Sequence, residues 1–414
     1  MANTLRVTDR ILNEALRIAH EKLSFIPTTD LQFDESFAYQ AGKGPTGQTL
    51  RVREPNVYKR RQGSRVMDVQ DQNETSQTIT VATQDGFDMR FNSAELMQSV
   101  NSDGAWDNLS KNYIQPAVMS CLSGIEADYI AACTKATYQV AGTAGTALTT
   151  LTAVGAARAK LNQQLAPKDG NRYIQCESVA MGGMVEGLKG LFHDSAAIKE
   201  QYREGMMGRN AMADWYENDR MWTMPNSADV AGEINAGTLT SGITSLTVDG
   251  LTAAPVAGMV FTVGSGASEV GIFDVHPETK VAFAHLKQFV CSAGCTTTNL
   301  VFTPAMIFDT TNPRQNCSGT PADNADIAFI GSLSTNYVQQ LMYHKEAYQF
   351  ITAELPILDD AHKCVRKTVD GLSMRIWMFS DGRNDELLVR GDILYGMAAL
   401  RPQWASRIIG AANA

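Results

Sequence analysis

The stretch closest to a chemical motif is Gly42-Lys43-Gly44-Pro45-Thr46-Gly47-Gln48-Thr49. A phosphate-binding loop needs lysine directly before its Ser or Thr, to reach the outer phosphates, and a helix after it. Gln48 stands in the lysine's place and an alternating, strand-like run follows, so nucleotide binding is not predicted. His276, His285, Cys291 and Cys295 carry metal-ligating atoms. A zinc knuckle presents a tight pair such as CxxC or HxxxH, whereas this cysteine pair is looser and the histidines fall on strand-like runs; buried thiols in a β core are the simpler reading. His193-Asp194 and His344-Lys345-Glu346 set imidazole beside carboxylate, the makings of a general base. No GxSxG elbow accompanies either pair. The expectation is no catalytic set, no metal, no cofactor and no enzyme.

Composition narrows the classes further. A chain of 414 residues exceeds one ordinary core and predicts about two or three domains. At 44% hydrophobic and 19% charged residues, global disorder is excluded. A net charge of −9 argues against gripping nucleic acid over a broad basic face. No apolar run reaches the ~20 residues that span a bilayer, and MANTLRVTDR has no secretory-signal pattern. Seven scattered cysteines read as reduced thiols of a cytoplasmically made chain.

The elements that would position any site follow from periodicity. Trp106 to Gln139 reads as one long helix, with Ile114, Val118, Cys121, Leu122, Ile125, Tyr129 and Cys133 on a single stripe and Glu126 among the polar residues. Pro116 should bend it or mark its true first turn. Thr8 to Ser24 predicts a short amphipathic helix that either packs back on its own domain or docks as an arm on another subunit. Gln48–Arg53 and Thr78–Ala82 predict two strands around a long polar link, 54–77, of a kind uncommon inside a compact domain. Its ascending side gathers Arg51, Arg53, Lys59, Arg60, Arg61 and Arg65 against Glu54. That is either a solvated face or the basic flank of a protruding hairpin that meets acidic groups on a neighbour. Asp85-Gly86 predicts a tight turn.

Beyond Gly145, a capped helix to Leu165, a strand over Arg172–Cys176 and a helix over Val179–Phe192 outline an α/β domain. Its Met- and Trp-rich tail (Met206 to Met224) favours core over contact surface. From about Asp229 charges thin out and short Thr-, Val- and Gly-rich runs predict an inserted all-β barrel or sandwich. Tyr337–Ile351 fits helix and strand spacing alike, and Met374–Phe379 and Ile393–Leu400 predict buried strands.

This order of parts resembles the HK97-type major capsid proteins of tailed double-stranded DNA bacteriophages, and more closely the coat proteins of the short-tailed Salmonella phage P twenty-two group. The resemblance rests on Leu122–Cys133, Arg172–Cys176 with the helix after it, Val256–Val263 and Gly391–Pro402. It implies an α+β fold: an N-terminal arm (1–32), a connector (33–47), an E-loop hairpin (48–83), and a peripheral domain (84–144) with spine helix 106–139. An axial α/β domain (145–228), the β insert (229–325) and a return to the axial and peripheral domains (326–414) follow. It further implies pentamers and hexamers in an icosahedral virion shell, assembled in the host bacterial cytoplasm with a scaffolding protein, and a portal at one vertex. The shell encloses DNA without sequence-specific binding and touches no membrane. The E-loop cations Arg51, Arg53, Lys59, Arg60, Arg61 and Arg65 would cross a subunit boundary, and Asp9 and Glu14 would meet scaffold or a neighbour. The rival readings are a cellular nanocompartment shell of the same fold and a soluble α/β enzyme with a β accessory domain.

Overall fold

A computed structural model of the protein describes residues 23–32, 49–92, 113–188, 208–227, 231–264, 271–357 and 363–413, apart from positions 62, 64, 68, 71–73, 236, 238 and 370. Contacts divide the chain into two units. One comprises Met1–Val52, Ser76–Tyr129 and Tyr348–Ala398, and the other Arg53–Thr75, Ile130–Ala347 and Ala399–Ala414. The predicted arm helix, the phosphate-loop-like stretch up to Gln48, and Asp9 and Glu14 lie outside the described residues.

The helix Gln115–Ala136, here α1, has 22 residues, about 33 Å at 1.5 Å per residue. Pro116 stands in its first turn, where a missing N–H leaves no intrahelical bond unmade. Residues 93–112 lie outside the described chain. At the other end the helix stops three residues short of the predicted Gln139. The Thr137 N–H is shared between the Cys133 and Thr134 carbonyls, and Val140 already belongs to a strand. Val118, Leu122, Ile125 and Tyr129 are buried along the predicted stripe.

Glu126 departs from its predicted polar side: it is wholly buried. Its Oε1 accepts the backbone N–H groups of Ser24 at 3.0 Å, Phe25 at 2.6 Å and Ile26 at 3.4 Å. One helix carboxylate thereby ties residues 24–26 to α1. The aromatic column behind it runs from Phe25 to Tyr129 (5.0 Å between ring centroids), Phe350 (5.2 Å) and Tyr395 (5.5 Å).

The first unit's sheet has six strands, ordered Asp30–Gln32, Tyr348–Ala353, Glu386–Ala399, Leu372–Asp381, Lys363–Val369, with Thr83–Asn92 also on Glu386–Ala399. The predicted turn at Asp85-Gly86 is absent: Thr83–Asn92 runs through it as one strand, paired from Asn92↔Glu386 to Thr83↔Tyr395. Gly86 is needed for close approach rather than for a turn, because a Cβ there would meet the Gly391 carbonyl. Thr49–Arg53 and Ser76–Thr80 form a separate two-stranded ribbon, the base of the predicted hairpin.

In the second unit a seven-stranded sheet is ordered Val140–Ala141, Ala405–Asn413, Asn336–His344, Arg172–Cys176, Ala213–Glu217, Arg209–Asn210, with Thr223–Pro225 beside Asn336–His344. Helices Leu151–Gln163 (α2) and Ser178–Leu188 (α3) cover it, and Val154, Ala157, Leu161, Met181 and Met184 enter its core. The insert is a closed six-stranded barrel: Ala231–Ile234, Ile243–Asp249, Asn299–Met306, Phe289–Cys291, Val260–Val263, Asp326–Phe329 and back to the first. Phe261, Phe289 and Phe302 fill its centre with ring centroids 5.3–5.6 Å apart. The ambiguous run 337–351 is strand, a short 3-10 turn, then strand.

Glu126→Ala would leave three buried N–H groups without their acceptor. It is expected to destabilise the folded protein by about 3 kcal/mol, read as a lower denaturant midpoint at unchanged slope. An unchanged midpoint would show that the carboxylate does not hold this segment.

Candidate assembly interface

The basic row lies where an interface could use it. Arg51, Arg53, Lys59, Arg60, Arg61 and Arg65 are all exposed. They do not converge on one point. Arg53 faces Glu74 at 3.7 Å, a surface pair of small net value. Arg61 Nη1 donates to the Val66 carbonyl at 2.7 Å, bracing the loop's own turn. Lys59 N–H donates to Gln70 Oε1 at 2.8 Å, and Gln70 Nε2 returns a bond to the Lys59 carbonyl at 2.6 Å.

The same loop is tied to the insert. Arg314 donates to Glu54 Oε2 at 3.0 Å and to Thr75 Oγ1, while Thr75 Oγ1 donates to Glu54 Oε2 at 2.9 Å. Lys59 Nζ reaches the Thr310 carbonyl at 2.7 Å. Between these anchors the loop exposes a row of apolar side chains: Tyr58 at 55%, Val66 at 75%, Met67 at 78% and Val69 at 78%. Sequence reading found the cations and missed these, because a few apolar residues in a polar link carry no periodicity.

A second constellation, invisible in the sequence, lies within the second unit where the barrel meets the seven-stranded sheet. Lys287 is buried and its Nζ donates to Asp274 Oδ1 at 2.8 Å, 4.9 Å from the centre of the Tyr138 ring. Gln164 of the α2 C-cap donates to Asp274 Oδ2 at 2.8 Å, and His285 Nε2 lies 3.6 Å from the same oxygen. Burial alone would lower the Lys287 pKa, but Tyr138 and Asp274 together hold it above the ordinary lysine range. Beside this pair, Lys160 of α2 donates to the Val140 carbonyl at 2.6 Å and to Gln288 Oε1 at 2.5 Å. Gln288 Oε1 also accepts the Val140 N–H at 2.8 Å. Arg407, fully buried, donates to the Gly258 carbonyl at 2.7 Å and the Lys135 carbonyl at 3.3 Å. Gly258 has φ +101°, and a Cβ there would press into Trp222. Cations here bind carbonyls and amides more than carboxylates, so the arrangement locates backbone and offers no proton relay.

Of the acid–base pairs of the sequence, the one at His344 lies among the described residues. His344 is buried and bonds Asp169 at 3.0 Å, while Glu346 pairs with Arg401 at 2.5 Å. His193 and Asp194 lie outside the described residues. Among the described residues no three His, Cys, Asp or Glu side chains gather as metal ligands. No described helix is long and apolar enough to cross a membrane.

Residues 228–410 match the protein family described as P22 coat protein - gene protein 5. That stretch, less than half of the 414 residues, is similar to phage coat proteins. The chain's α+β architecture, strand-rich around one 22-residue helix and carrying an inserted barrel, agrees with the expected HK97-type fold. No curated protein matches the chain in sequence. Among solved structures it is similar to a chain of Mycobacterium phage Che8, at 10% identity and TM-score 0.47 over 88% of this chain and 85% of that one. It is similar to the mature capsid of bacteriophage PhiM1 at 11% identity and TM-score 0.44, covering 94% and 87%. A virus-like particle from Pyrococcus furiosus aligns at 6% identity and TM-score 0.40, covering 97% and 98%.

Two measurements test this geometry. Arg314→Ala is expected to speed tryptic cleavage after Lys59, Arg60, Arg61 and Arg65 several-fold, resolved by peptide mapping, with cleavage elsewhere unchanged; an unaltered rate would mean the loop is held by other contacts. Burial drives the Lys160 pKa down to about 8 from the ordinary 10.5. Between those values the unfolded chain holds a proton that the folded one has shed, so this group's contribution to stability rises as pH climbs from about 8 to 10.5. Lys160→Met is expected to remove that rise from stability measured against pH, and an identical slope in the variant would contradict the assignment.

Proposed function

We propose that copies of this chain form the pentamers and hexamers of an icosahedral shell around double-stranded DNA, with the E-loop as the principal contact between subunits. The observation that carries this reading is the loop itself: Tyr58, Val66, Met67 and Val69 stand exposed beside Arg51, Arg60 and Arg65. Large apolar side chains grouped on a protruding loop and rimmed by charge are the composition of an interface centre. A neighbouring copy is the natural occupant, since the chain's acidic balance, −9 overall, supplies carboxylates for the cations to meet. The same acidity suits a wall that does not hold packaged DNA, because each phosphate-contacting Lys or Arg would add salt-dependent affinity.

In this reading the protein assembles in the bacterial cytoplasm around a scaffolding protein and leaves one vertex to a portal. The N-terminal arm, with Asp9 and Glu14, takes a basic scaffold segment, and the shell expands as DNA enters. The barrel stiffens the monomer. The enzyme alternative needs a convergent polar pocket open to a substrate.

Arg60→Glu with Arg61→Glu is expected to abolish shells in sucrose gradients and negative-stain images while leaving the monomer's thermal transition in place. Asp9→Lys with Glu14→Lys should, in the same gradients, lose scaffold co-sedimentation alone. Wild-type particle yields from the first variant would end the E-loop assignment, and undiminished co-sedimentation of scaffold with the second would end that of the arm.

A further inference from the structure

Among the described residues of loop 54–75 none is buried, so no apolar anchor holds this loop and polar ties must do so. Its two ends meet where the Glu54 N–H donates to the Thr75 carbonyl at 2.9 Å. The barrel loop facing it, residues 307–317, is rooted in a core. The Ile307 N–H donates to Asn316 Oδ1 at 2.9 Å, Asn316 Nδ2 to the Ala305 carbonyl at 2.8 Å, and the Cys317 N–H to the Ile307 carbonyl at 3.0 Å. Cys317 belongs to the barrel core, and buried Gln315 donates to its carbonyl at 3.1 Å. Lys280, in the turn between Phe273–Val275 and Ala282–Leu286, donates to the Pro313 carbonyl and braces the same loop. Two groups of this rooted loop take hold of loop 54–75. Arg314 donates to Glu54 Oε2 at 3.0 Å and to Thr75 Oγ1, and Thr75 Oγ1 donates to Glu54 Oε2 at 2.9 Å. The Thr310 carbonyl accepts Lys59 Nζ at 2.7 Å.

We propose that Arg314 is a positioning residue for the contact between subunits: from the barrel it holds loop 54–75 of its own subunit in place before a neighbour arrives. The inference rests on the reading of this loop as that contact. A tie that sheltered the loop would cover its apolar side chains. This one grips the ends of the loop and Lys59, and leaves Tyr58, Val66, Met67 and Val69 between 55% and 78% exposed. The gain is entropic. A loop ordered in the free subunit has little backbone freedom left to lose on docking, so more of the contact energy appears as affinity. Arg314 suits the task because its planar fork reaches a carboxylate and a hydroxyl at once, where a lysine presents one point of charge. The inserted barrel thereby acts on assembly through the loop it carries, without itself touching the neighbour.

The test compares the full-length wild type with Arg314→Glu, Glu54→Arg, the two combined, and Thr75→Val. Three quantities are read: tryptic cleavage after Lys59 and Arg65, the monomer's thermal transition, and particle yield in sucrose gradients. Each single charge change is expected to speed cleavage and to lower particle yield roughly tenfold, the weight of one charge-assisted network, with the thermal transition retained. The combined variant exchanges the two charges and should recover both slow cleavage and particle yield. Thr75→Val alters no charge and should move both readouts the same way by less. Wild-type yield from a loosened loop, a yield above wild type, or a combined variant that folds yet does not assemble would each overturn the proposal. Should the exchange fail to fold, Thr75→Val still decides: faster cleavage with unaltered yield would overturn it. Failure of the underlying reading looks different, since Arg60→Glu with Arg61→Glu would then assemble like the wild type.

Discussion

The second unit depends on burying charge where the inserted barrel meets the seven-stranded sheet. Lys287 and Arg407 are withdrawn from water at that junction with Lys160 half-buried beside them, and a buried cation is tolerated only with its acceptors in place. The acceptors come from both sides: Asp274, Gln288 and the Gly258 carbonyl from the insert, and the Val140 and Lys135 carbonyls from the elements around the sheet, while Gln164 of the α2 C-cap donates to Asp274. A barrel tilted by a few ångströms would strand these groups. An apolar seam could slide at small cost; this one has a single register. The apolar cluster of Tyr138, Val140, Met224, Val260, Val290, Tyr337 and Ile409 supplies area, and the polar contacts set position.

Much of the fold could be read from the residues because pattern and burial agree there. Ile243–Asp249 alternates as a strand with one face in the barrel, and the stripe on α1 is buried as its spacing predicts. Legibility fails where both faces of an element are covered. Asn336–His344 is buried at nearly every position, including Gln339 and Gln340, so neither period survives in its sequence. Glu126 reads as a surface residue because its three partners are backbone N–H groups about a hundred positions away, which no local pattern encodes. Asp85-Gly86 misleads for a related reason: the dipeptide has turn chemistry, and the close approach of Gly391 uses its small size instead.

The candidate interface is legible in part. Charge is visible in a linear sequence, so the cations from Arg51 to Arg65 stand out. What they do locally depends on partners such as Glu74, Gln70 and the Thr310 carbonyl. Arg314, which ties the loop to the insert, lies some 260 positions beyond Glu54 in a stretch that reads only as a turn.

Closure of the barrel has a consequence wherever copies of this chain are concentrated. Its strands pair all the way round, from Ala231–Ile234 back through Asp326–Phe329, so it offers no row of unsatisfied backbone groups to a stray strand. An open sandwich of the same composition, rich in Val, Thr and Phe and poor in charge, would be a template for edge-to-edge fibrils. Many such modules can lie side by side without pairing across copies because the circle is shut.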